Sequence, residues 1–335
     1  MYLTGFTDEA GMDIDTQIRV TKALGWSNIE MRGVFTANLT DISDAEFDIV
    51  VEKTKAAGIS VNCFGSAIAN GGRTVKEGED EYERAIIEMT RAIPRMHRLG
   101  SKMLRGMSFR VPGDGDHIGS EYEKKVFATL NRLAKICEDA GVMYVHENCS
   151  GYGNLSYEHS LRMMDAVRSP AFTLVFDTGN PFMTPDRIGK PPYQMQSAWE
   201  FYRAVREHVA YVHIKDTAMV KDAAGDVKRT YVFPGEGACE VKRIVADLLS
   251  RRYDGGFSME PHMKPEQMTT PPDFPNEDGK FNLYYEYGKR FMRVMDEVKA
   301  ESALTPSPGP FPSLTGKRER GAAYFAAGMG ECISH

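Results

Sequence analysis

The feature that most constrains the fold of this chain is an alternation, repeated eight times, of a short β-rich segment with a long amphipathic one. The first pair is Tyr2 to Phe6, a run of strand-forming residues, and Asp13 to Leu24, where apolar residues recur at helical spacing. Strict alternation of strands and helices predicts a parallel sheet whose strands are joined by helical crossovers. The chain is therefore expected to fold as an α/β protein.

Seven further strands are predicted along the chain, at residues 27–33, 59–65, 102–109, 143–148, 173–177, 211–216 and 256–260. The helices between them are predicted at 43–57, 79–99, 120–140, 157–167, 197–208 and 240–251. Eight such units match a TIM (β/α)8 barrel. The competing architecture is a doubly wound open sheet, but no predicted strand is followed by the GxGxxG turn that is typical of that fold.

Four consecutive strands carry a charged or imidazole side chain at their ends, and this pattern favours the barrel. MYVHENC reaches Glu147, TLVFD ends at Asp177, YVHIKD contains His213, and GFSME ends at Glu260. The C-terminal strand ends of a barrel converge on one mouth, whereas those of an open sheet spread along an edge. Because residues two apart on a strand share a face, all four side chains can point into this mouth.

These four residues, Glu147, Asp177, His213 and Glu260, have the chemistry of a metal site. A single residue of this kind is usually a structural group held by hydrogen bonds. Four of them at successive strand ends indicate instead that they bind one ion together. Three carboxylates and one imidazole make a hard, oxygen-rich set of ligands. We expect one divalent cation, Mn²⁺ or Mg²⁺, with Co²⁺ and Zn²⁺ as alternatives.

Composition narrows the class of protein. The formal net charge is −6 and the only basic run is KRER at 317–320, so nucleic acid is not an expected partner. The five cysteines are scattered and never form a CxxC pair, which argues against a disulfide framework or a zinc knuckle. No apolar run approaches a membrane span, and the N-terminus lacks the features of a signal peptide. A cytoplasmic enzyme acting on a small molecule is the simplest interpretation.

The domain organisation is predicted to be one barrel over residues 1–300, because barrels of this class form single domains of this size. A helix at Phe281 to Lys299 closes the barrel in this prediction. Residues 301–335 contain a Pro-rich linker at Thr305 to Thr315 and a short tail, which is either disordered or packed on the barrel or on another chain.

The ordered set of motifs resembles the xylose-isomerase-like TIM barrels, often described as sugar phosphate isomerases and epimerases. That family carries a glutamate at the end of strand five, an aspartate after strand six, a histidine in an HxKD-like stretch and a glutamate on strand eight. Glu147, Asp177, His213 and Glu260 stand at the matching positions here. The resemblance spans about residues 1–300, and it implies divalent-metal-assisted proton transfer next to a sugar carbonyl.

One departure from the family pattern changes the expected substrate. Many isomerases and epimerases of the family have DTGH after strand six, whereas this chain has DTGNP, with Asn180 in place of the histidine. The chain is similar to the catalytic subunits of bacterial C-glycoside deglycosidases in three stretches taken together: HENC, DTGNP and PYQMQSAWEFY. That resemblance implies a lyase that cleaves a 3-keto C-glycoside into sugar and aromatic aglycone. It also implies a smaller second subunit, with a homo-oligomer as the alternative.

The base differs between the two activities that the resemblance implies. A sugar isomerase or epimerase would use Glu147 and Glu260, which would both bind the metal and move protons through an enediolate. A glycoside lyase would use His146, which is not itself a ligand, although strand alternation turns it toward the helices. Lys215 either donates to a substrate oxygen or forms a salt bridge with a ligand carboxylate.

Four further residues are candidates for binding the substrate. Arg105 lies at the end of strand four and either holds a substrate group or pairs with Glu30 in a salt bridge; the sequence favours the salt bridge. His262 shares a face with Glu260 and is either a second acid or base or a rim residue. Tyr193, in a Pro-rich loop, can stack on a sugar or an aromatic ring. Asn180 occupies the position of the family histidine.

Overall fold

Eight parallel strands form a nearly closed barrel in the computed structural model, which describes residues 1–73, 76–221 and 225–304. The predicted fold class is confirmed. Each strand pairs with its neighbour along the chain, the eighth pairs with the first, and a bridge between Phe6 and Glu30 joins the first strand to the second. The strands are β1 Tyr2–Gly5, β2 Asn28–Met31, β3 Ser60–Ile68, β4 Met103–Gly106, β5 Met143–Glu147, β6 Phe172–Asp177, β7 Val209–Ile214 and β8 Gly256–Met259.

Helices lie between successive strands and after the last strand, as the alternation predicts. Ser43 caps the second of them: its hydroxyl accepts the N–H of Glu46 at 3.2 Å, and the Glu46 carboxylate accepts the N–H of Ser43 at 2.8 Å. Gly58, with φ +66°, ends this helix in the left-handed region. The helices are α1 Ile14–Ala23, α2 Asp44–Ala57, α3 Glu81–Leu99, α4 Glu121–Asp139, α5 Tyr157–Ala166, α6 Ala198–Val205, α7 Val241–Ser250 and α8 Gly279–Leu304.

Side chains inside the barrel form a cluster separate from the core under the helices. The interior cluster consists of Cys63, Met103, Val145, Val175 and Tyr211, all buried. Alternation along β5 therefore directs Val145 and Glu147 inward and directs His146, which stands between them, outward. The metal-ligand candidates extend this interior cluster toward the C-terminal ends of the strands.

Two hairpins and one helical turn among the described residues were not predicted from the sequence. A short hairpin, Gly33–Val34 with Ala37–Asn38, follows β2, and a longer one, Asp216–Lys221 with Val227–Val232, follows β7. The predicted loop between β6 and α6 contains a helical turn, Asn180–Met183. All three lie in the loops after the strands, where a barrel carries its functional variation.

The C-terminal region extends the predicted closing helix. α8 runs to Leu304, beyond the boundary at residue 300 that the sequence suggested. The predicted linker at 305–315, the tail and Cys332 lie outside the described residues. Within the part of the chain that the structure describes, no helix is both long and apolar enough to cross a membrane.

Candidate metal centre

Four side chains meet at the mouth of the barrel and form what we call the ligand cluster. Each offers one oxygen or nitrogen atom, and these atoms lie within 4.8 Å of one another. All four side chains are buried, with at most 2% of any residue exposed. One member lies at or directly after the end of each of the strands β5, β6, β7 and β8, because these strands end at the same level of the barrel. The members are Glu147, Asp177, His213 and Glu260.

His213 is oriented by a carboxylate on the far side of its ring. Its Nε2 lies 3.0 Å from Oε2 of Glu30, and its Nδ1 faces the ligand cluster, 3.6 Å from Oε1 of Glu147. Burial alone would lower the pKa of His213, but the carboxylates of Glu30 and Glu147 raise it to about 10. A carboxylate behind a histidine ring is the usual means of fixing the tautomer of a metal ligand.

Glu147 is held by an arginine from the neighbouring strand. Nε of Arg105 donates to its Oε2, while Nδ2 of Asn180 donates to its Oε1 at 3.1 Å. Burial opposes ionisation of Glu147, but Arg105 and His213 hold its pKa well below the usual range. The expected pairing of Arg105 with Glu30 is wrong, because Glu30 lies behind His213 and Glu147 is the carboxylate next to Arg105.

Glu260 is held in a similar way from the opposite edge of the ligand cluster. Nη1 of Arg32 donates to its Oε1 at 2.8 Å, and Nζ of Lys215 lies 2.6 Å from its Oε2. Burial opposes ionisation of Glu260, but Lys215 and His262 hold its pKa well below the usual range. Each of the two glutamates thus has one oxygen fixed by an arginine and the other directed toward the ligand cluster.

The residues that position Arg32 were not predicted from the sequence. Asp8 and Glu9, in the turn after β1, accept from Arg32 at 2.9 and 3.2 Å. Glu9 also lies 3.1 Å from Nδ1 of His262, and Nε2 of His262 lies 3.2 Å from Oε1 of Glu260. The acidic pair directly after the first strand was the sequence signal for this network.

Asp177 presents one oxygen to the backbone and the other to the ligand cluster. Its Oδ1 accepts the N–H groups of Gly179 at 2.8 Å and Asn180 at 2.7 Å. Its Oδ2 accepts no hydrogen bond and lies 3.1 Å from Nζ of Lys215. Burial raises the pKa of Asp177 to about 6, although the ammonium of Lys215 lowers it.

The ligand cluster has the chemistry that a divalent cation requires. In the described part of the chain, the buried Oδ2 of Asp177, Nδ1 of His213 and Oε2 of Glu260 make no hydrogen bond, and the ammonium of Lys215 lies 3.1 and 2.6 Å from the two oxygens. Buried polar atoms are normally satisfied, so an unpartnered imidazole nitrogen and two carboxylate oxygens that share one ammonium mark a position that favours positive charge. Oxygen donors with one imidazole fit Mn²⁺, Mg²⁺ or Zn²⁺. The ligand cluster could therefore hold one divalent cation.

His146 lies on the other face of β5, away from the ligand cluster. It is fully buried, its ring centroid is 6.2 Å from that of Phe172, and a side chain built at Gly153 would contact its Cε1. Neither ring nitrogen has a hydrogen-bond partner within residues 1–73, 76–221 and 225–304, and burial lowers the pKa of His146 to about 3. This position, facing the helical layer, does not support the expected role of His146 as the base.

A cavity of about 420 Å³ opens beside the ligand cluster, and Asn180 forms part of its wall. Nδ2 of Asn180 reaches Glu147, and its Oδ1 lies 3.3 Å from Nζ of Lys215. Tyr193 is not part of this wall; its hydroxyl donates to the carbonyl of Asp114 at 2.9 Å at the rim. The structure thus brings Arg105, Asn180 and Lys215 to the mouth and places Tyr193 apart from them.

Comparison with known protein families agrees with the barrel. Residues 18–279 match the model of the family described as the xylose isomerase-like TIM barrel. Inosose dehydratase of Clostridium beijerinckii is 23% identical over 192 residues, which are 51% of this chain and 60% of that enzyme. The match to this relative therefore covers less than two thirds of its length.

Solved structures show the same architecture. A xylose isomerase-like TIM barrel protein from Mycobacterium smegmatis, in complex with magnesium, superposes with a TM-score of 0.61 at 14% identity, covering 89% of this chain and 97% of that one. D-allulose 3-epimerase from Methylomonas sp., in complex with D-allulose, superposes with a TM-score of 0.61 at 16% identity, covering 90% of this chain and 96% of that one. At such identities the likeness shows the fold alone.

Proposed function

Because the chain belongs to the xylose isomerase-like TIM-barrel family, we propose that it is a metal-dependent enzyme that removes a proton next to the carbonyl of a keto sugar. The chemistry of the ligand cluster supports this proposal. Related barrels include an inosose dehydratase and a D-allulose 3-epimerase, whose substrates contain a carbonyl next to a carbinol carbon. The proposed cation is Mn²⁺, with Mg²⁺ and Co²⁺ as alternatives that the same donors accept.

One observation carries the proposal: both glutamates of the ligand cluster have one oxygen fixed by an arginine and one directed at the cluster. Oε1 of Glu147, which accepts from Asn180, and Oε2 of Glu260, which lies beside Lys215, are the oxygens that the arginines do not hold and that can face substrate and cation. Glu147 ends β5 and Glu260 directly follows β8, so the two residues lie on either side of Asp177 and His213 in the ring of strands. They can therefore approach a bound sugar from two directions.

The proton moves between these carboxylates and the sugar carbon. A divalent cation, when bound, polarises the carbonyl and makes the neighbouring C–H more acidic. In an isomerisation, one glutamate takes the proton at the oxygen that its arginine does not hold and, as the protonated acid, returns it to the neighbouring carbon. In an epimerisation, the other glutamate has to enter the cycle protonated, so that it delivers its own proton from the opposite side of the sugar. Lys215 stays charged, because Asp177 and Glu260 hold its pKa well above the usual value, and it can donate to a developing oxyanion.

Epimerisation or isomerisation of a ketose is the outcome that this geometry supports best. Both reactions need only a base and an acid on the carbons next to the carbonyl, and Glu147 and Glu260 supply them. The cleavage of a 3-keto C-glycoside, which the sequence placed first, assigned the base to His146. That side chain faces the helices, so cleavage becomes the second candidate.

Two observations keep cleavage as a second candidate. Asn180 stands where many isomerases and epimerases of the family have a histidine, and the cavity that Asn180 borders has about 420 Å³, more room than a ketose alone needs. In a lyase, the base removes the proton from C2 of the 3-keto sugar, a C1–C2 double bond forms as the bond to the aglycone breaks, and the released aglycone carbon takes up a proton. This activity would use Glu147 or Glu260 as the base and would involve a smaller second subunit.

Solvent exchange tests the proposal before the substrate is known. The Mn²⁺-loaded protein is incubated in D₂O with free ketoses and, separately, with a 3-keto C-glycoside, and deuterium next to the carbonyl is followed by NMR. We expect deuterium incorporation that falls by about 10²-fold or more in Glu147→Gln and Glu260→Gln. Glu52→Gln, on the exposed face of α2, is the matched control.

The products separate the two candidates. A new ketose without released aglycone supports epimerisation or isomerisation, and released aglycone without ketose interconversion supports cleavage. Exchange that persists unchanged in both glutamine variants would contradict the proposed roles of Glu147 and Glu260.

A further inference from the structure

The cavity beside the ligand cluster lies between the loops that follow four consecutive strands. Loops after β3, β4, β5 and β6 line it, and it has a volume of about 420 Å³. Asn180 forms part of the cavity wall and also borders the ligand cluster, because its side chain contacts Glu147 and Lys215. A molecule whose reacting carbonyl lies at the cluster can therefore extend past Asn180 into this cavity.

The charge of the cavity is opposite to that of the ligand cluster. Among the described residues, its lining includes Arg110 and Arg187 but no aspartate or glutamate. Arg110 donates to the carbonyl of Arg73. Nη1 of Arg187 donates to the carbonyl of Gly113 at 2.7 Å, and its Nη2 lies 3.5 Å from Oδ1 of Asp114, whose side chain is exposed to solvent outside the cavity lining. A guanidinium carries five N–H donors, so each arginine keeps donors beyond this bond. The cavity therefore attracts negatively charged oxygen atoms.

Apolar and small groups complete the wall. Val111 and Leu155 contribute aliphatic surface, and Gly71 and Gly151 contribute backbone. Gly71 has no room for a side chain, since a Cβ there would lie 2.8 Å from the carbonyl oxygen of Phe109. The volume lies within the range of about 300 to 1,000 Å³ that is usual for small-molecule sites.

We propose that this cavity binds the non-reacting end of the substrate and that this end carries an anionic oxygen held by Arg110 and Arg187. The proposal rests on the proposed function, because it assumes that the sugar carbonyl lies at the ligand cluster. The substrate class is thus an anionic conjugate of a keto sugar rather than a small neutral ketose. The anionic oxygen can belong to a phosphate or to an acidic aromatic group, and the volume of the cavity accommodates either.

Kinetics with matched substrates test the role of the arginines. Deuterium exchange is measured with a free ketose, a ketose phosphate and a 3-keto C-glycoside with a phenolic aglycone, for the wild type, Arg110→Met and Arg187→Met. We expect KM for the preferred anionic substrate to rise about tenfold or more in each variant, with kcat unchanged, because a charge-assisted contact is lost. KM for the neutral ketose should not change.

A surface arginine supplies the control. Arg132, on the exposed side of α4, pairs with Glu83 and is remote from the cavity lining, so Arg132→Met should leave KM unchanged for all three substrates. Equal increases in KM for neutral and anionic substrates in Arg110→Met and Arg187→Met would overturn the proposal, as would no increase for either anionic substrate.

A binding measurement separates failure of this proposal from failure of the proposed function. Calorimetric titration with inorganic phosphate and with 4-hydroxybenzoate needs no turnover. Binding of either probe to the wild type, lost in Val111→Trp, which fills the cavity without removing a charge, supports the subsite even if no sugar exchanges deuterium. Binding of phosphate alone or of 4-hydroxybenzoate alone identifies the source of the anionic oxygen. Binding of neither probe would overturn the subsite while leaving the ligand cluster untested by this experiment.

Discussion

Oε2 of Glu30 lies 3.0 Å from Nε2 of His213, and both side chains are fully buried at the centre of the barrel. This contact joins the second strand to the seventh across the interior. It leaves Nδ1 of His213 as the nitrogen that faces Glu147, so the carboxylate determines how the imidazole is presented to an ion.

Replacement of Glu30 should weaken metal binding although Glu30 is not in the ligand cluster. We expect Glu30→Ala to lower the affinity for Mn²⁺ by about 10- to 100-fold, because the ring of His213 loses its orienting partner. Glu30→Gln keeps a hydrogen-bond acceptor for the ring of His213, so its affinity for Mn²⁺ should fall less. Calorimetric titration measures both, and equal affinity in the wild type and Glu30→Ala would show that His213 needs no orienting carboxylate.

Replacement of Lys215 should lower turnover but not the affinity for the cation. Its ammonium lies next to Asp177 and Glu260, where a positive charge competes with a cation for the same carboxylates. We expect Lys215→Met to bind Mn²⁺ at least as tightly as the wild type, while kcat falls by about 10²- to 10⁴-fold. Affinity that falls in parallel with kcat would indicate a structural role instead.

His146 should be dispensable for the chemistry. Both of its ring nitrogens are buried without a partner, and such groups cost free energy compared with an apolar side chain of similar size. His146→Leu should therefore leave the free energy of unfolding unchanged or raise it by about 1 kcal/mol, with kcat unchanged. A loss of kcat by 100-fold or more without a change in stability would return His146 to the role of base and cleavage to first place.

Asp216 should hold the long hairpin after β7 in place. Its two oxygens accept the N–H groups of Thr217, Gly235, Gly237 and Cys239 at 2.9 to 3.2 Å. Asp216→Asn turns an NH₂ group toward two of these donors and should lower the free energy of unfolding by about 2 to 4 kcal/mol. Asp254→Asn, at an exposed position, is the control, and equal stability of the two variants in urea unfolding would contradict the anchoring role.

The sequence predicted the barrel because its evidence is local and repeated. Helix ends such as Ser43 and Gly58 are determined by capping and backbone chemistry within a few residues, and alternation along each strand identifies the face that carries Glu147. Alternation also placed His146 outward, which the structure agrees with. The four members of the ligand cluster were found for the same reason, since each marks the end of its own strand.

The partners of those residues could not be predicted, because they depend on which side chains meet across the barrel interior. Arg105 could reach either Glu30 or Glu147 from its strand end; in the structure Glu30 is next to His213, and Arg105 pairs with Glu147 on the neighbouring strand. The hairpin after β7 was missed because its strands, at 216–221 and 227–232, are largely exposed and carry little hydrophobic periodicity.

The central claim is that the ligand cluster binds one divalent cation. Protein treated with a chelator and dialysed is titrated with Mn²⁺, and free Mn²⁺ is followed by its electron paramagnetic resonance signal. We predict one Mn²⁺ bound per chain in the wild type and an affinity at least about 100-fold lower in Asp177→Asn and His213→Gln, because each variant removes a ligand. Absence of binding to the folded wild type, or unchanged affinity in both variants, would contradict the account.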